Sequence, residues 1–320
     1  MISVEDIDAW EKLGPRAVYG LVLKELAKEN NRVFALSGDL IKSSGLDRMK
    51  REMPERVINV GVAEQNMVGV AAGLASEGFI PFASSFAPFI TQRANEQIRM
   101  NLGYMELNVK LVGLGSGLSM SFLGNSHFGT EDIAMTSSIP NITVISPADT
   151  TSIFSLLKMS LDHVGPEYIR LTGAPGSRRV YDSFPIFEKG VPFVISEGTD
   201  LAIFATGSMV RVALDVRDLL TKDGLSISVF DVHTLKPMYL ENSLKFLKSG
   251  IPLVTIEEHS IIGGLGSALG EKLAQFDLSN RLLRVGLPDQ YGITSDYKSL
   301  LEHHHLTANK VSEKIRNFLS

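Results

Sequence analysis

Asn59-Val60-Gly61-Val62-Ala63-Glu64-Gln65-Asn66-Met67 is the stretch whose reading decides the fold. The apolar run Arg56-Val57-Ile58-Asn59 before it reads as a short strand. A turn of small residues follows, and Val68 to Ser76, rich in Ala and Gly, has helical spacing. Glu64 therefore falls at a strand-to-helix switch, at or near the helix N-terminus. In open parallel sheets such switches face the ligand crevice. A carboxylate between small apolar residues has two readings there. It caps the helix as an N-terminal acid, or it does proton chemistry in a sheltered place.

The alternation continues on both sides. Pro15 to Lys28 reads as a helix with Val18, Leu21, Val22 and Leu26 on one face. Strands are expected near Val33–Leu36, Phe79–Ala83, Val109–Leu114, Thr143–Ile145 and Tyr168–Leu171. Helices are expected near Gln65–Glu77, Phe89–Asn101, Glu131–Ser137 and Thr150–Leu161. This is a doubly wound α/β pattern. Thr172 to Val191 breaks it with Gly173, Pro175, Gly176 and Pro185, and reads as a linker. A second α/β unit follows, with strands at Leu201–Ala205, Ile227–Phe230, Leu253–Ile256 and Leu283–Val285. Its helices are expected near Ser208–Thr221, Leu240–Lys248 and Gly266–Gln275, with a last one from Thr307 onward. Two doubly wound domains are expected, at 1–185 and 190–320.

Composition narrows the class. The 320 residues are 44% hydrophobic and 21% charged, as in a globular protein with ample core. The net charge of -5 gives no basic surface for nucleic acid. There is no cysteine, which removes disulfides, thiolate metal sites and cysteine nucleophiles together. The N-terminus carries Glu5, Asp6 and Asp8 before any apolar run, unlike a signal peptide. No apolar run reaches the ~18 residues of a membrane span. The expectation is a cytoplasmic protein without membrane contact.

Several residues invite chemistry. His127 lies in the Gly- and Ser-rich stretch Gly124-Asn125-Ser126-His127-Phe128-Gly129, the kind of loop that carries active-site groups. Phe86 and Phe89, three apart, can point the same way at the start of a helix. Asp39, in Ser37-Gly38-Asp39-Leu40, is explained by turn chemistry alone. Gly263-Gly264-Leu265-Gly266 does not have the dinucleotide spacing and reads as structural or as a subunit contact. His303-His304-His305 reads as exposed, with no partner carboxylates for a metal.

Three blocks in order carry a resemblance to the transketolase family. They are Gly61-Val62-Ala63-Glu64-Gln65-Asn66-Met67, then Ser84-Ser85-Phe86-Ala87-Pro88-Phe89-Ile90-Thr91-Gln92-Arg93, then Gln97-Ile98-Arg99-Met100. The resemblance runs from about Gly14 to the C-terminus. It implies a pyrimidine-binding domain followed by a transketolase C-terminal domain, with thiamine diphosphate as cofactor. By that resemblance Glu64 bonds the ring nitrogen of the aminopyrimidine and is catalytic. Phe86 and Phe89 form the ring's pocket, with stacking on Phe89. Asp39 lies near the thiazolium ring, and His127 is a polar contact or proton relay. Arg16 and Ser43 match an arginine and a serine that contact the substrate phosphate.

Departures from the family pattern matter as much. A sugar-contacting histidine aligns with Gly115, an aspartate for a sugar hydroxyl with Leu123, and a second phosphate arginine with Gly173. A site that loses such groups relaxes or redirects its specificity. Arg178 and Arg179 are candidates to replace the lost arginine. The Gly-Asp-Gly and Asn-Asn motif that holds magnesium and the diphosphate does not occur here. The chain thus resembles the C-terminal subunit of a split transketolase. Mg2+ ligands are then expected from an N-terminal partner subunit, with two copies of each chain in a heterotetramer. The implied reaction moves a two-carbon ketol unit from a ketose to an aldehyde, on sugars or sugar phosphates. The alternatives are a decarboxylating relative similar to deoxyxylulose phosphate synthase, or a non-catalytic scaffold subunit. A sheltered Glu64 is expected to have raised proton affinity.

Overall fold

The computed structural model describes residues 2–240 and 243–320. The strands are β1 (Val33–Ser37), β2 (Val57–Asn59), β3 (Ile80–Phe86), β4 (Lys110–Leu114), β5 (Thr143–Ile145) and β6 (Glu167–Arg170) in the first half. The second half holds β7 (Phe193–Ser196), β8 (Leu201–Ala205), β9 (Ile227–Asp231), β10 (Thr234–Lys236), β11 (Leu253–Ser260) and β12 (Leu282–Leu287). The first sheet has the order β10-β5-β6-β4-β3-β1-β2, and the second β12-β11-β8-β9-β7. All pairs are parallel except β10 on β5 and β7 on β9. Helices connect the parallel strands, as the alternating sequence pattern requires.

The chain leaves β1 for β2 on one side, then crosses back to β3 on the other. Strand order therefore reverses at β1. The crevice outside the carboxyl ends of β1 and β3 is the switch point where such sheets take ligands. Pro15 opens the helix Pro15–Glu29, where its missing N–H costs nothing. That helix buries Val18, Val22 and Leu26. The helix Glu64–Ser76 buries Met67, Val68 and Ala71 and starts on Glu64 itself.

Several elements differ from the sequence expectation. β3 runs on to Phe86 instead of stopping at Ala83. Every residue of it is buried, so no alternation marks its end. The expected helix Phe89–Asn101 is a run of widened turns, Phe89–Arg93 and Ile98–Tyr104, around the short turn Asn95–Gln97. In the second half the observed helix is Leu244–Lys248; part of the expected Leu240–Lys248 span, residues 241 and 242, lies outside the described residues.

The segment between β6 and β7 has no strand or helix, yet it is pinned. The backbone N–H groups of Val180 and Tyr181 both donate to Asp149 Oδ2, at 2.7 and 2.9 Å. Asp149 also accepts from Ser152 N at the start of the helix Thr150–Asp162. Phe184 packs on Phe154 and Trp10. The halves are further locked by a buried polar network. The Arg170 guanidinium donates to both Asp132 oxygens at 2.9 and 3.0 Å, and to the Glu258 carbonyl at 2.7 Å. The Glu258 carboxylate accepts from Leu118 N, Ser208 Oγ and Tyr297 Oη. Removing one partner of so buried a pair costs ~3–5 kcal/mol. Gly117 has φ +67, and an added Cβ there would meet Glu258 Oε1 at 2.4 Å. Only glycine lets the loop after β4 lie against the second half.

Candidate active site

Four strand ends meet at the switch point. β1 delivers Gly38 and Asp39, β2 delivers Asn59 and the turn to Glu64, β3 delivers Ser85 and Phe86, and β4 delivers Gly115. The Glu64 side chain is 1% exposed. Its Oε1 accepts from Ser85 Oγ at 2.8 Å, and its Oε2 from Arg93 Nη1 at 2.7 Å. An added Cβ on Gly38 would lie 3.6 Å from both Glu64 Oε1 and Ser85 Oγ, so the end of β1 closes the floor.

Burial pushes the Glu64 carboxyl up, but the hydrogen bonds from Arg93 and Ser85 outweigh it. The group is held below the usual glutamate value, as an ionised carboxylate. This corrects the expectation of raised proton affinity from shielding alone. A cation at hydrogen-bond distance decides the sign.

The aromatic residues gather beside it. The rings of Phe86 and Phe89 are 5.9 Å apart, edge to face. His127 meets both, at 5.5 Å from Phe86 and 5.0 Å from Phe89. A pair of opposed backbone bonds between Gly117 and Gly129 closes the intervening loop and carries His127 there. Its Nδ1 lies 2.9 Å from Ser126 Oγ. Phe86 ends a strand rather than starting a helix, so the pair converges across a strand-to-helix junction.

Asp39 has φ 63 and is exposed. It is held by Asn59, which takes its N–H and donates to its carboxylate. Arg16 and Ser43 fall in an adjoining cavity of about 380 Å³, lined also by Lys42, Gly115, Met120 and Gly173. Gly115 joins the two spaces, since an added Cβ there would lie 3.8 Å from Phe86 Cδ1 and 2.3 Å from Met120 Sδ. Arg16 is half-buried and has no side-chain partner among the described residues. Burial pulls its pKa below the usual arginine value. A desolvated cation facing a cavity is a ready anion contact.

The structure thus brings Glu64, Phe86, Phe89 and His127 together, with Asp39 on the neighbouring strand end and Arg16 and Ser43 in the next cavity. Of the positions that depart from the family, Gly115 and Gly173 line that cavity. Leu123 is half exposed on the loop. Arg178 and Arg179 do not take over. Arg178 pairs with Asp215, and Arg179 with Asp8 and Asp182. Carboxylates nearer in space claim both.

Sequence reasoning missed Arg93. Its guanidinium carbon stands 4.5 Å from the Phe89 ring centre while it bonds Glu64. An arginine four residues after Phe89 was the available signal, though such a residue ordinarily faces solvent. His304 is buried rather than exposed, with its two neighbours outside. In the Gly263-Gly264 stretch, Glu257 accepts from Leu265 N and Gly266 N and caps that helix, a structural role.

The donor set fits one end of the implied cofactor. A buried carboxylate beside an aromatic face suits a flat heteroaromatic base with a ring nitrogen. A flat cation already lies on that face and bonds that carboxylate. The set does not fit the metal end. Among the described residues no three His, Cys, Asp or Glu gather where they could hold a metal ion.

Two parallel-stranded halves with a cleft at the switch point define an α/β enzyme of the doubly wound class. Residues 11–174 match the family described as transketolase, pyrimidine binding domain, and residues 193–311 match transketolase, C-terminal domain. The chain belongs to the transketolase family. It is 38% identical to a putative transketolase C-terminal section of Methanocaldococcus jannaschii, over 94% of this chain and 95% of that one. It is also 38% identical to a 6-deoxy-6-sulfo-D-fructose transketolase subunit of Clostridium sp. (strain MSTE9), over 92% and 91%. Among solved structures it is similar to a split gene transketolase in the form of an inactive beta4 tetramer. That match has a TM-score of 0.87 and 39% identity, and covers 94% of this chain and 97% of the other.

Proposed function

We propose that this chain is the C-terminal subunit of a split, thiamine-diphosphate-dependent transketolase, carrying the aminopyrimidine half of the site. With its partner it transfers a two-carbon ketol unit from a ketose to an aldehyde. The observation that carries this reading is Glu64, buried and ionised beside Phe86, Phe89 and His127 at the switch point. Transketolase-family membership supports the cofactor. When bound, thiamine diphosphate supplies the carbon centre that carries the ketol unit between substrates.

This chain's residues do the rest. Glu64 offers a carboxylate oxygen to the ring nitrogen and holds a proton there. Phe89 presents its face to the ring, and Phe86 and His127 close its edges. His127 offers a ring nitrogen to polar groups of the substrate. Asp39 orients the reacting end from the β1 terminus. Arg16 and Ser43 hold the substrate's anionic terminus in the cavity beyond Gly115. One arginine where the family pattern has two, with Gly173 in place of the second, and Gly115 and Leu123 at the two sugar positions, leave a roomier and less charged site. We propose substrates that end in an anionic group but differ from ordinary sugar phosphates. The Clostridium relative, named for a sulfo sugar, supports that class.

Magnesium and the diphosphate are assigned to the N-terminal partner subunit, in an assembly of two copies of each chain. The proposed location is the cytoplasm; no helix of the described residues is long and apolar enough to cross a membrane. Titration calorimetry with thiamine diphosphate and Mg2+ tests the split. This chain alone should bind weakly, and the mixture with its partner tightly and with turnover. Micromolar binding by this chain alone would place the diphosphate site here instead. Turnover of pyruvate in place of ketoses would assign the decarboxylating relative. A complex without cofactor-dependent turnover would be a scaffold.

A further inference from the structure

Arg93 does two things at once. Its guanidinium lies over the Phe89 ring, with its carbon 4.5 Å from the centre, and Nη1 donates to Glu64 Oε2 at 2.7 Å. These are the two contacts the aminopyrimidine ring would make, a flat face on Phe89 and a hydrogen bond to Glu64. A guanidinium can imitate such a ring, being planar and rich in coplanar donors. Two flat groups cannot share one such space. We propose that Arg93 is a built-in occupant of the pyrimidine site, which the cofactor must displace to bind.

The surroundings suit a movable group. The Arg93 side chain is 47% exposed, while Glu64 is almost wholly enclosed, so the way out for Arg93 leads to solvent. It sits at the end of the widened turn Phe89–Arg93, and the next residue, Ala94, leaves helical geometry at φ -101. Such widened turns are frequent at functional sites. The occupant also has a use when no cofactor is present. Glu64 is a buried carboxylate, and without Arg93 its charge would be left with only the neutral donors, Ser85 Oγ and its own backbone N–H. The cost falls on cofactor affinity. Only the fraction of molecules with Arg93 swung out is competent, and the apparent affinity falls by that fraction.

This inference rests on Glu64 and Phe89 being the pyrimidine site. Arg93→Met removes the charge and the donors from a half-exposed position. The test titrates thiamine diphosphate, with Mg2+, into the complex of this chain with its partner subunit, comparing wild type, R93M and R93K by calorimetry. R93M should bind about three- to tenfold more tightly, with R93K between the two. Cofactor-free R93M should melt at a lower temperature than cofactor-free wild type, because Glu64 loses its counter-charge. Tighter binding with a lower melting point supports the displacement. A lower melting point with unchanged or weaker binding makes Arg93 structural and overturns it, as does an unchanged melting point. Binding by neither wild type nor variant sinks the cofactor assignment and the displacement together.

Discussion

Asn59 and Asp39 hold each other by two hydrogen bonds of 3.0 Å, one from the Asp39 N–H to Asn59 Oδ1 and one from Asn59 Nδ2 to Asp39 Oδ1. The same Asn59 oxygen takes the Gly61 N–H at 3.1 Å. One side chain thus ties the ends of β1 and β2 and fixes the turn that leads to Glu64. It also holds Asp39 at φ 63, where an aspartate is strained by about 1 kcal/mol or more. Asn59→Ala should cost about 1–2 kcal/mol in urea denaturation, the three bonds being exposed. Asn59→Asp should do no better, since it sets a second carboxylate against Asp39. An Ala variant as stable as wild type would mean the clasp holds nothing.

Glu64→Gln keeps the shape and the Ser85 contact but cannot cycle a proton. Turnover of the reconstituted enzyme should fall by about two to four orders of magnitude, with the melting curve little changed. The freed Arg93 is half exposed and finds water. Near-normal turnover in the Gln variant would remove Glu64 from the chemistry.

Arg16→Met tests the substrate end. A charge-assisted contact is worth ~1.5–3 kcal/mol, so KM for an anionic ketose should rise about ten- to a hundredfold with little change in kcat. A neutral ketose such as erythrulose should be handled equally by both proteins. Xylulose 5-phosphate with ribose 5-phosphate should be a poor pair even for wild type, because Gly115 and Gly173 offer no side chain to hold them. Efficient use of that pair would refute the altered specificity.

Asp231 gives a pH prediction away from the site. Burial pushes its carboxyl up to about 8, only partly offset by the hydrogen bond from Tyr181, with Asp149 adding to the rise. Its Oδ1 has no partner, as suits a protonated acid. The folded value lies above the unfolded one of about 4. The folded state therefore binds the extra proton, and stability is lost as pH rises from about 4 through about 8. Asp231→Asn should flatten that decline, and its melting temperature should exceed the wild type's most clearly near pH 8. Parallel curves for the two proteins would mean that Asp231 stays ionised.

Glu64, Phe86, Phe89 and His127 were legible as a group through the transketolase resemblance, and two of them also have a local signature. Glu64 follows a strand and a small-residue turn, and His127 lies in a glycine-rich loop. Arg16 and Ser43 were legible from motif order, while their shared cavity with Gly115 and Gly173 needed the fold. Arg93 was not legible, because a helical arginine reads as solvent-facing and the widened turn that aims it inward leaves no mark in sequence. The fate of Arg178 and Arg179 was hidden for a similar reason. Two of their three partners, Asp215 and Asp8, are remote in sequence. β10 was invisible too, being three residues long with a partner strand some ninety positions earlier.

That three-residue strand has a practical consequence. Thr234 and Lys236 pair with Ile145 and Val144, so the second half supplies the last strand of the first half's sheet. A gene truncated after residue 185 would encode a protein with β5 laid bare along its outer side. Bare strands recruit other chains. Fragments meant to isolate the pyrimidine half should therefore be recovered as aggregates, and the two halves must be inherited, expressed and engineered as one piece.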